Sequence, residues 1–102
     1  MIDTALRAIA EPRRREILRL VLHEELASGA IAAHFSITGP AVSQHLRVLE
    51  EAELVVMRKL GTRRLYRARP EGLAELKSFL DQFWADSLSR LAAVAEAEQK
   101  GT

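Results

Sequence analysis

The sequence contains no cysteine, and this absence removes several kinds of site at once. A disulfide scaffold, a thiolate metal site and a cysteine nucleophile are all excluded. No apolar run approaches the ~20 residues that a helix needs to cross a membrane. The N-terminus also lacks the basic start and the apolar stretch of a signal peptide. We therefore expect a cytoplasmic protein that has no membrane partner.

The chain also lacks a large excess of charge of either sign. Its 15 Lys and Arg residues nearly balance its 14 Asp and Glu residues, which leaves a net charge of +1. The two signs are nonetheless separated along the chain, because residues 36–69 carry seven basic and three acidic groups, whereas residues 71–102 carry three basic and six acidic ones. This partition indicates one face for a polyanion and another face for a different partner. Chance clustering on an ordinary surface is the alternative.

Motifs of catalysis are missing as well. The chain has no glycine-rich phosphate loop, no HExxH zinc motif and no convincing pair of carboxylates. Ser43 and His45 are two positions apart on one predicted helix and therefore do not face each other. The 3 histidines are spread over three predicted elements, which is not the spacing of a metal site. The sequence predicts neither an enzyme nor a bound metal or cofactor.

What the chain does contain is a sequence of short amphipathic segments. Its 102 residues suffice for one domain, over residues 1–102, with a modest core. Apolar residues at helical spacing predict helices over residues 2–10, 12–23 and 70–97. A short helix opened by Gly29 has Ile31 and Phe35 one turn apart, and a fourth helix begins near residue 39.

Between the fourth and the last helix the apolar period changes to two. This change predicts strands over residues 54–59 and 63–68, joined by a turn at Gly61 and Thr62. The order is then α-α-α-α-β-β-α, a mainly helical chain with a small β-hairpin. Two short helices followed by a basic hairpin are typical of a winged helix-turn-helix.

The fourth predicted helix has a clear start and two distinct sides. Thr38 is a good N-cap, and Pro40 suits the first turn. On a helical wheel, one side is polar and the other is apolar. The polar side carries Pro40, Ser43, Gln44 and Arg47, and the apolar side carries Val42, Leu46 and Leu49. A recognition helix needs this arrangement, because its N-terminal residues must reach base edges in the major groove.

The side chains on the polar side suit a DNA duplex. Gln44 can pair bidentately with adenine, Ser43 can bond several base edges, and Arg47 can bond guanine or phosphate. A solvated helix surface is the alternative when this helix is considered alone. His45 lies on the shoulder between the two sides, where it either donates to a phosphate or holds the helix against the body.

The predicted hairpin from Arg58 to Arg69 has six basic residues and no acidic one. Gly61 permits a turn with positive φ, and Tyr66 is expected to pack under the wing rather than stack on a base. A basic two-stranded ribbon suits the minor groove or flanking phosphates, although solubilising charge on an edge strand is the alternative. We predict contacts to double-stranded DNA from Thr38, Pro40, Ser43, Gln44, His45, Arg47, Arg58, Lys59, Arg63 and Arg64.

The last predicted helix carries more apolar surface than a lone domain of this size can use. The first helix offers a matching apolar stripe, and large side chains of this kind anchor interfaces. We therefore predict a homodimer whose interface is formed by the helices near residues 2–10 and 70–97. The predicted interface residues are Ile2, Leu6, Ile9, Phe83, Trp84, Leu88 and Leu91. The alternative is that the last helix folds back onto its own core.

Three segments of the chain match known motifs. Residues 8–18 read AIAEPRRREIL, residues 40–52 read PAVSQHLRVLEEA, and residues 54–67 contain Leu54-Val55, Arg58-Lys59, Gly61 and Tyr66-Arg67. In these segments the chain resembles the opening, the recognition helix and the wing of the ArsR/SmtB (arsenic-repressor) family of bacterial regulators. The resemblance covers nearly the whole chain. It implies a homodimeric repressor that leaves its operator when an effector binds.

The chain departs from that family at three places. Residues 25–29 read ELASG where the arsenic and cadmium sensors carry Cys ligands, and the last helix lacks the His ligands of the zinc sensors. Glu53 stands where the family usually has a Gly that closes the recognition helix. The resemblance therefore supports DNA binding and dimerisation but no metal sensing, and the effector stays unidentified. A winged-helix module that binds proteins instead of specific DNA is the alternative.

Overall fold

The structure, a computed structural model, describes residues 2–100. The helices are α1 (Ile2–Ala10), α2 (Pro12–Val21), α3 (Ser28–Ala32), α4 (Gly39–Glu51) and α5 (Pro70–Lys100). The strands are β1 (Leu26–Ala27), β2 (Val55–Leu60) and β3 (Arg63–Ala68). Residues 1 and 101–102 of the predicted domain lie outside the described residues.

Helix α2 begins at a well-capped position. The Glu11 carboxylate accepts hydrogen bonds from the backbone N–H groups of Arg13 at 2.9 Å and Arg14 at 3.2 Å. These bonds satisfy donors that have no partner inside the helix, and the following proline fits the first turn. The helix ends at Val21, two residues before the predicted end at His23. Residues 22–24 are exposed, so a longer helix would bury no further apolar surface.

Helix α3 is shorter than the sequence pattern predicts. The pattern places Ile31 and Phe35 one turn apart on one helix, but α3 ends at Ala32 and Phe35 falls in the connection to α4. Both side chains still pack against the core, Ile31 as a fully buried residue and Phe35 as a half-buried one. Their spacing therefore reports burial rather than a continuous helix.

Helix α4 begins as predicted. Thr38 is the N-cap, and its hydroxyl accepts a hydrogen bond from the Ala41 N–H at 3.2 Å. The apolar side is buried, with at most 2% of each side chain exposed, and consists of Val42, Leu46 and Leu49. Because this side is packed against the body, the polar side must face away from it.

The end of α4 is a Schellman motif with a non-glycine residue in the left-handed position. The Leu54 N–H bonds to the Leu49 carbonyl at 3.0 Å, and the Glu53 N–H bonds to the Glu50 carbonyl at 3.0 Å. Glu53 has a φ of 60°. The Cα of Gly72 packs against the Glu53 carbonyl so closely that a Cβ there would overlap the oxygen. This contact places the start of α5 beside the end of α4.

The three strands form one antiparallel sheet in the order β1-β3-β2. Strands β2 and β3 form the predicted hairpin, and Gly61 makes its turn with a φ of 64°. Strand β1, which the sequence pattern does not predict, pairs with the other edge of β3 and sets Leu26 opposite Tyr66. The mainly helical winged helix-turn-helix architecture is confirmed, with one short strand added.

Helix α5 packs on the body only through its first part. Leu76 is buried, and Leu73 and Leu80 are half-buried against the core. The molecule measures 67 × 28 × 21 Å, and its radius of gyration is 18.3 Å, against about 13 Å for a compact chain of this length. The last helix therefore projects from the body instead of folding back onto it. No helix within residues 2–100 is both long enough and apolar enough for a membrane crossing.

Candidate nucleic-acid interface

The outward side of α4 carries the predicted base-reading residues. Ser43, Gln44 and Arg47 are exposed, and their side chains make no hydrogen bond or ion pair with any of residues 2–100. Pro40 is also exposed near the start of the helix, whereas the Thr38 hydroxyl is already engaged as the N-cap. The helix thus offers a hydroxyl, an amide and a guanidinium group that are free to bond another molecule.

His45 is placed differently from its neighbours on α4. Its side chain is 16% exposed, and its Nε2 lies 3.8 Å from the Oε2 atom of Glu11. Its Nδ1 lies 3.4 Å from the Nη1 atom of Arg14. Both partners belong to the start of α2, on the body of the protein. This geometry favours the second of the two roles considered for His45, which is to hold α4 in place.

The tip of the wing carries uncompensated positive charge. Lys59, Arg63 and Arg64 are exposed, and in the described part of the chain no acidic group pairs with them. Lys59 lies directly opposite Arg64 in the hairpin, so their charges add on one small area. Free cations at the end of a projecting ribbon are suited to phosphate contacts.

Arg58, at the base of the wing, is engaged by a carboxylate of its own chain. Its Nε and Nη2 atoms donate to the two carboxylate oxygens of Glu25, each at 2.7 Å. The pKa of Glu25 is lowered below its ordinary 4.5, and the main cause is this bidentate hydrogen bond. The positive charges of Arg58 and Arg67 make smaller contributions in the same direction. The same bond raises the pKa of Arg58. The pair ties the wing to the segment before β1, and it compensates the charge of Arg58.

A small cleft lies where α4 meets the wing. Its volume is about 90 Å³, and its lining residues are Ser28, Ser43, Arg47, Glu50, Arg64 and Tyr66. The cleft joins the outward side of α4 and the wing into one continuous surface, because Ser43 and Arg64 both line it. Tyr66 is 5% exposed and packs under the wing, as the sequence predicts.

Sequence reasoning missed three residues of this surface. Glu50 follows Arg47 by three positions on α4, so helical spacing could have found it. Ser28 and Glu25 carry no such signal. Glu25 is 33 positions from Arg58, and only the pairing of β1 with the hairpin brings the two together.

The predicted dimer residues fall into two groups. Those on α5 are between 48% and 62% exposed, and they are Phe83, Trp84, Leu88 and Leu91. Those on α1 are half-buried against the core of their own chain, and they are Ile2, Leu6 and Ile9. Phe79 and Val94, which the sequence analysis does not include, extend the exposed apolar surface of α5. The rings of Phe79 and Phe83 stack at a centroid distance of 6.1 Å.

Comparison with known proteins agrees with this geometry. Residues 11–56 match the family described as bacterial regulatory protein, arsR family. The HTH-type transcriptional regulator Rv2034 of Mycobacterium tuberculosis is 43% identical over 100 residues, which cover 98% of this chain and 94% of that protein. The arsenical resistance operon repressor of Staphylococcus xylosus is 34% identical over 80 residues, which cover 78% of this chain and 77% of that protein.

Two solved structures share the fold. The crystal structure of a possible transcriptional regulator for arsenical resistance has a TM-score of 0.78 and 47% sequence identity, and the match covers 91% of this chain and 96% of that one. The homodimeric winged helix-turn-helix DNA-binding domain of Mb0332 from Mycobacterium bovis has a TM-score of 0.68 and 35% identity, over 83% of this chain and 78% of that one. Since nearly the whole chain aligns with such relatives in sequence and fold, the chain belongs to the arsR family of bacterial transcriptional regulators.

Proposed function

We propose that this regulator is a homodimeric repressor that binds an inverted-repeat operator in the cytoplasm, with no catalytic role. The observation that carries the proposal is the shared surface of α4 and the wing, where exposed Ser43 and Arg47 line one cleft with Arg64. Hydrogen-bonding groups near a helix N-terminus read base edges, and a neighbouring basic ribbon supplies phosphate contacts. This combination supports double-stranded DNA as the partner.

In this proposal the outward side of α4 enters the major groove. Gln44 bonds adenine through its amide, and Ser43 bonds an adjacent base edge. Arg47, one turn later, contacts guanine or phosphate. Thr38 fixes the start of the helix, and Pro40 approaches the sugar-phosphate backbone. His45 acts by holding α4 and does not touch the DNA.

The wing contributes affinity in a sequence-independent way. Its free cations, Lys59, Arg63 and Arg64, contact phosphates or line the minor groove. We assign Arg58 a structural role instead, because its guanidinium group already forms an ion pair with Glu25. The ion pair instead sets the angle at which the wing leaves the body.

Helices α1 and α5 form the dimer in this proposal. Fully burying one large apolar side chain is worth roughly 1.5–3 kcal/mol, and α5 exposes several of them on its projecting part. Helix α1 packs beside α5, which supports a surface that includes both. The similar domain from Mycobacterium bovis is described as homodimeric. A two-fold dimer presents its two α4 helices to one side of the duplex, which requires an inverted repeat.

Repression follows from occupancy of the operator, and the similar protein of Staphylococcus xylosus is named as a repressor.

The signal that releases the DNA is a separate question. This chain has no cysteine, and within residues 2–100 no group of three or more His, Asp or Glu side chains is placed to hold a metal ion. We therefore propose that the effector is neither an arsenic or metal ion bound by thiols nor a metal ion bound by His, Asp and Glu side chains.

Selection from random duplex DNA tests the proposed function. The enriched sequences should contain an inverted repeat whose half-sites are about 34 Å apart, which is one helical turn, or a multiple of it. Footprinting of the selected duplex should show both half-sites protected by one dimer. Enrichment of no sequence would contradict the proposal and would favour a winged-helix module that binds proteins.

A further inference from the structure

Arg14 connects the end of α1 to the middle of α4. Its Nε donates to the Ala8 carbonyl at 2.6 Å, and its Nη2 donates to the Arg7 carbonyl at 3.2 Å. These carbonyls lie in the last turn of α1, where helix geometry leaves oxygens without partners. The remaining nitrogen, Nη1, lies 3.4 Å from Nδ1 of His45 on α4. One guanidinium group thus bonds a helix of the proposed dimer interface and the helix that faces DNA.

The contact with Arg14 determines which tautomer the His45 ring adopts. A guanidinium group can only donate hydrogen bonds, so Nδ1 must accept and the ring proton must be on Nε2. Nε2 faces the Glu11 carboxylate at 3.8 Å. That carboxylate also caps α2 by accepting the backbone N–H groups of Arg13 and Arg14. Both ring nitrogens are therefore directed at the start of α2.

This arrangement matters because His45 directly follows Gln44, one of the proposed base-reading residues. Successive residues on a helix are about 100° apart, so a ring held at one position sets the rotation of the helix about its axis. Side chains of a binding site must be held within about 0.5 Å and 10–20° of their productive geometry. The contact between Arg14 and His45 thus acts together with the buried apolar side of α4 to fix the orientation of Gln44 relative to α1.

We infer that Arg14, acting through His45, is a positioning residue that couples the dimer helix α1 to the DNA-reading side of α4. The inference rests on the proposed function, in which α1 lies in the dimer interface and α4 reads the operator. In a two-fold dimer, the angle between α1 and α4 sets how the two α4 helices meet successive turns of DNA. Loss of the contact should therefore weaken operator binding more than binding to any other duplex.

The chain contains a matched control for this inference. Arg15 caps the same end of α1, since its Nη1 donates to the Ile9 carbonyl at 2.7 Å and to the Ala10 carbonyl at 3.2 Å. It makes no side-chain bond to α4 within the described residues. Arg15→Ala therefore removes a comparable capping interaction and leaves the contact with His45 intact.

The experiment compares Arg14→Ala with Arg15→Ala. Each is titrated with the operator duplex selected by the parent protein and with a scrambled duplex, at concentrations where sedimentation shows a dimer. Arg14→Ala should bind the operator about five- to tenfold more weakly, with scrambled-duplex affinity and salt dependence unchanged. Arg15→Ala should differ from the parent by less than about twofold in all three measurements. A variant that merely folded poorly would lose affinity for both duplexes.

Substitutions at His45 separate the positioning role from a phosphate contact. Asn places an oxygen where His45 carries Nδ1, whereas Gln reaches only the place of Nε2. His45→Asn should keep the parent's operator affinity, and His45→Gln should lose as much of it as Arg14→Ala does. A double variant that combines Arg14→Ala with His45→Gln should show no further loss of operator affinity. If Nε2 instead donated a hydrogen bond to a phosphate, His45→Gln would retain affinity, and His45→Asn would bind the operator and the scrambled duplex more weakly to the same extent. That result would overturn the inference.

Failure of the inference and failure of the proposed function give different results. A parent protein that selects no DNA sequence would overturn both. A parent that selects an operator, with Arg14→Ala and Arg15→Ala binding it equally well, would overturn the coupling alone. An NMR measurement on the DNA-free dimer adds an independent reading, because the His45 Nδ1 resonance should shift in Arg14→Ala and stay in place in Arg15→Ala. An unshifted resonance in both variants would also overturn the coupling.

Discussion

Glu53 is the residue at which local backbone preference and the fold disagree most. It closes α4 at a φ of 60°, a conformation that costs a non-glycine residue ~1–2 kcal/mol. Its side chain makes no hydrogen bond or ion pair in residues 2–100, so nothing at the side chain offsets this cost. The motif persists because the backbone bonds of Glu53 and Leu54 to α4 are both formed, and because Gly72 packs on the Glu53 carbonyl.

Glu53→Gly should therefore stabilise the protein. Relief of the left-handed strain is partly offset by the greater freedom of glycine in the unfolded chain, which costs roughly 0.5–1 kcal/mol. The expected net gain in the free energy of unfolding is about 0.5–1 kcal/mol, measured by urea denaturation. Glu51→Gly, inside the last turn of α4, is the control and should destabilise by a similar amount. A lower stability for Glu53→Gly would contradict this explanation.

At the scale of residues, the sequence predicts helix caps and which side of a helix is apolar, but it does not predict the partners of single side chains. Thr38 and the apolar side of α4 were predicted because caps and helical spacing are local signals. The partners of His45 and Arg58 were not, because Arg14 and Glu25 lie 31 and 33 positions away from them. Such contacts depend on how whole elements pack.

Among the elements, the wing has cations with two different tasks, which are to contact phosphate at the tip and to form an ion pair with the body at the base. Lys59, Arg63 and Arg64 are free at the tip, whereas Arg58 is bound by Glu25 at the base. Because the pKa of Glu25 is lowered in the folded protein, the ion pair stabilises the fold at pH values above the ordinary 4.5 of a glutamate. That stabilisation declines once the pH falls below 4.5, and it is lost as the pH falls through the lowered value. The pair is therefore intact at neutral pH.

Salt dependence of DNA binding should separate the two tasks. Arg63→Ala and Arg64→Ala should each reduce the slope of log affinity against log salt by roughly one unit, since each loses a phosphate contact. Both should weaken all sequences alike. Arg58→Ala should leave the slope close to that of the parent, because its charge is compensated. Equal losses of slope in all three variants would mean that Arg58 also contacts phosphate.

The smallest elements were the hardest to predict from the sequence. Strand β1 has two residues, too few to show an alternation, and it is defined only by its pairing with Leu65 and Tyr66. Helix α3 has five residues, and the half-buried Phe35 beyond its end has the spacing of a further helical turn. The longer helices and the hairpin were predicted because their apolar periods repeat several times.

The whole molecule is elongated because α5 extends well past the body. Its exposed aromatic and aliphatic residues account for the surface that we assign to the dimer. The parent should sediment as a dimer at micromolar concentration. Trp84→Ala should raise the dimer dissociation constant about tenfold or more, since buried Trp side chains dominate interfaces.

The matched control for the dimer is Ser89→Ala, at an exposed position on the same helix. It removes a polar side chain of α5 and should leave the dissociation constant nearly unchanged. A parent that sediments as a monomer would contradict the assignment of α1 and α5 to a dimer interface. So would equal effects of the two substitutions.

The central claim is that the outward side of α4 reads the operator, and Gln44→Ala tests it most directly. The variant is first shown to fold by circular dichroism and is then titrated with the selected operator and its single-base-pair variants. We predict loss of ~1–3 kcal/mol of discrimination at one symmetric base pair per half-site, with non-specific binding nearly unchanged. Arg63→Ala, measured beside it, should weaken every duplex alike. A folded Gln44→Ala protein that keeps the parent's full sequence preference would contradict the claim.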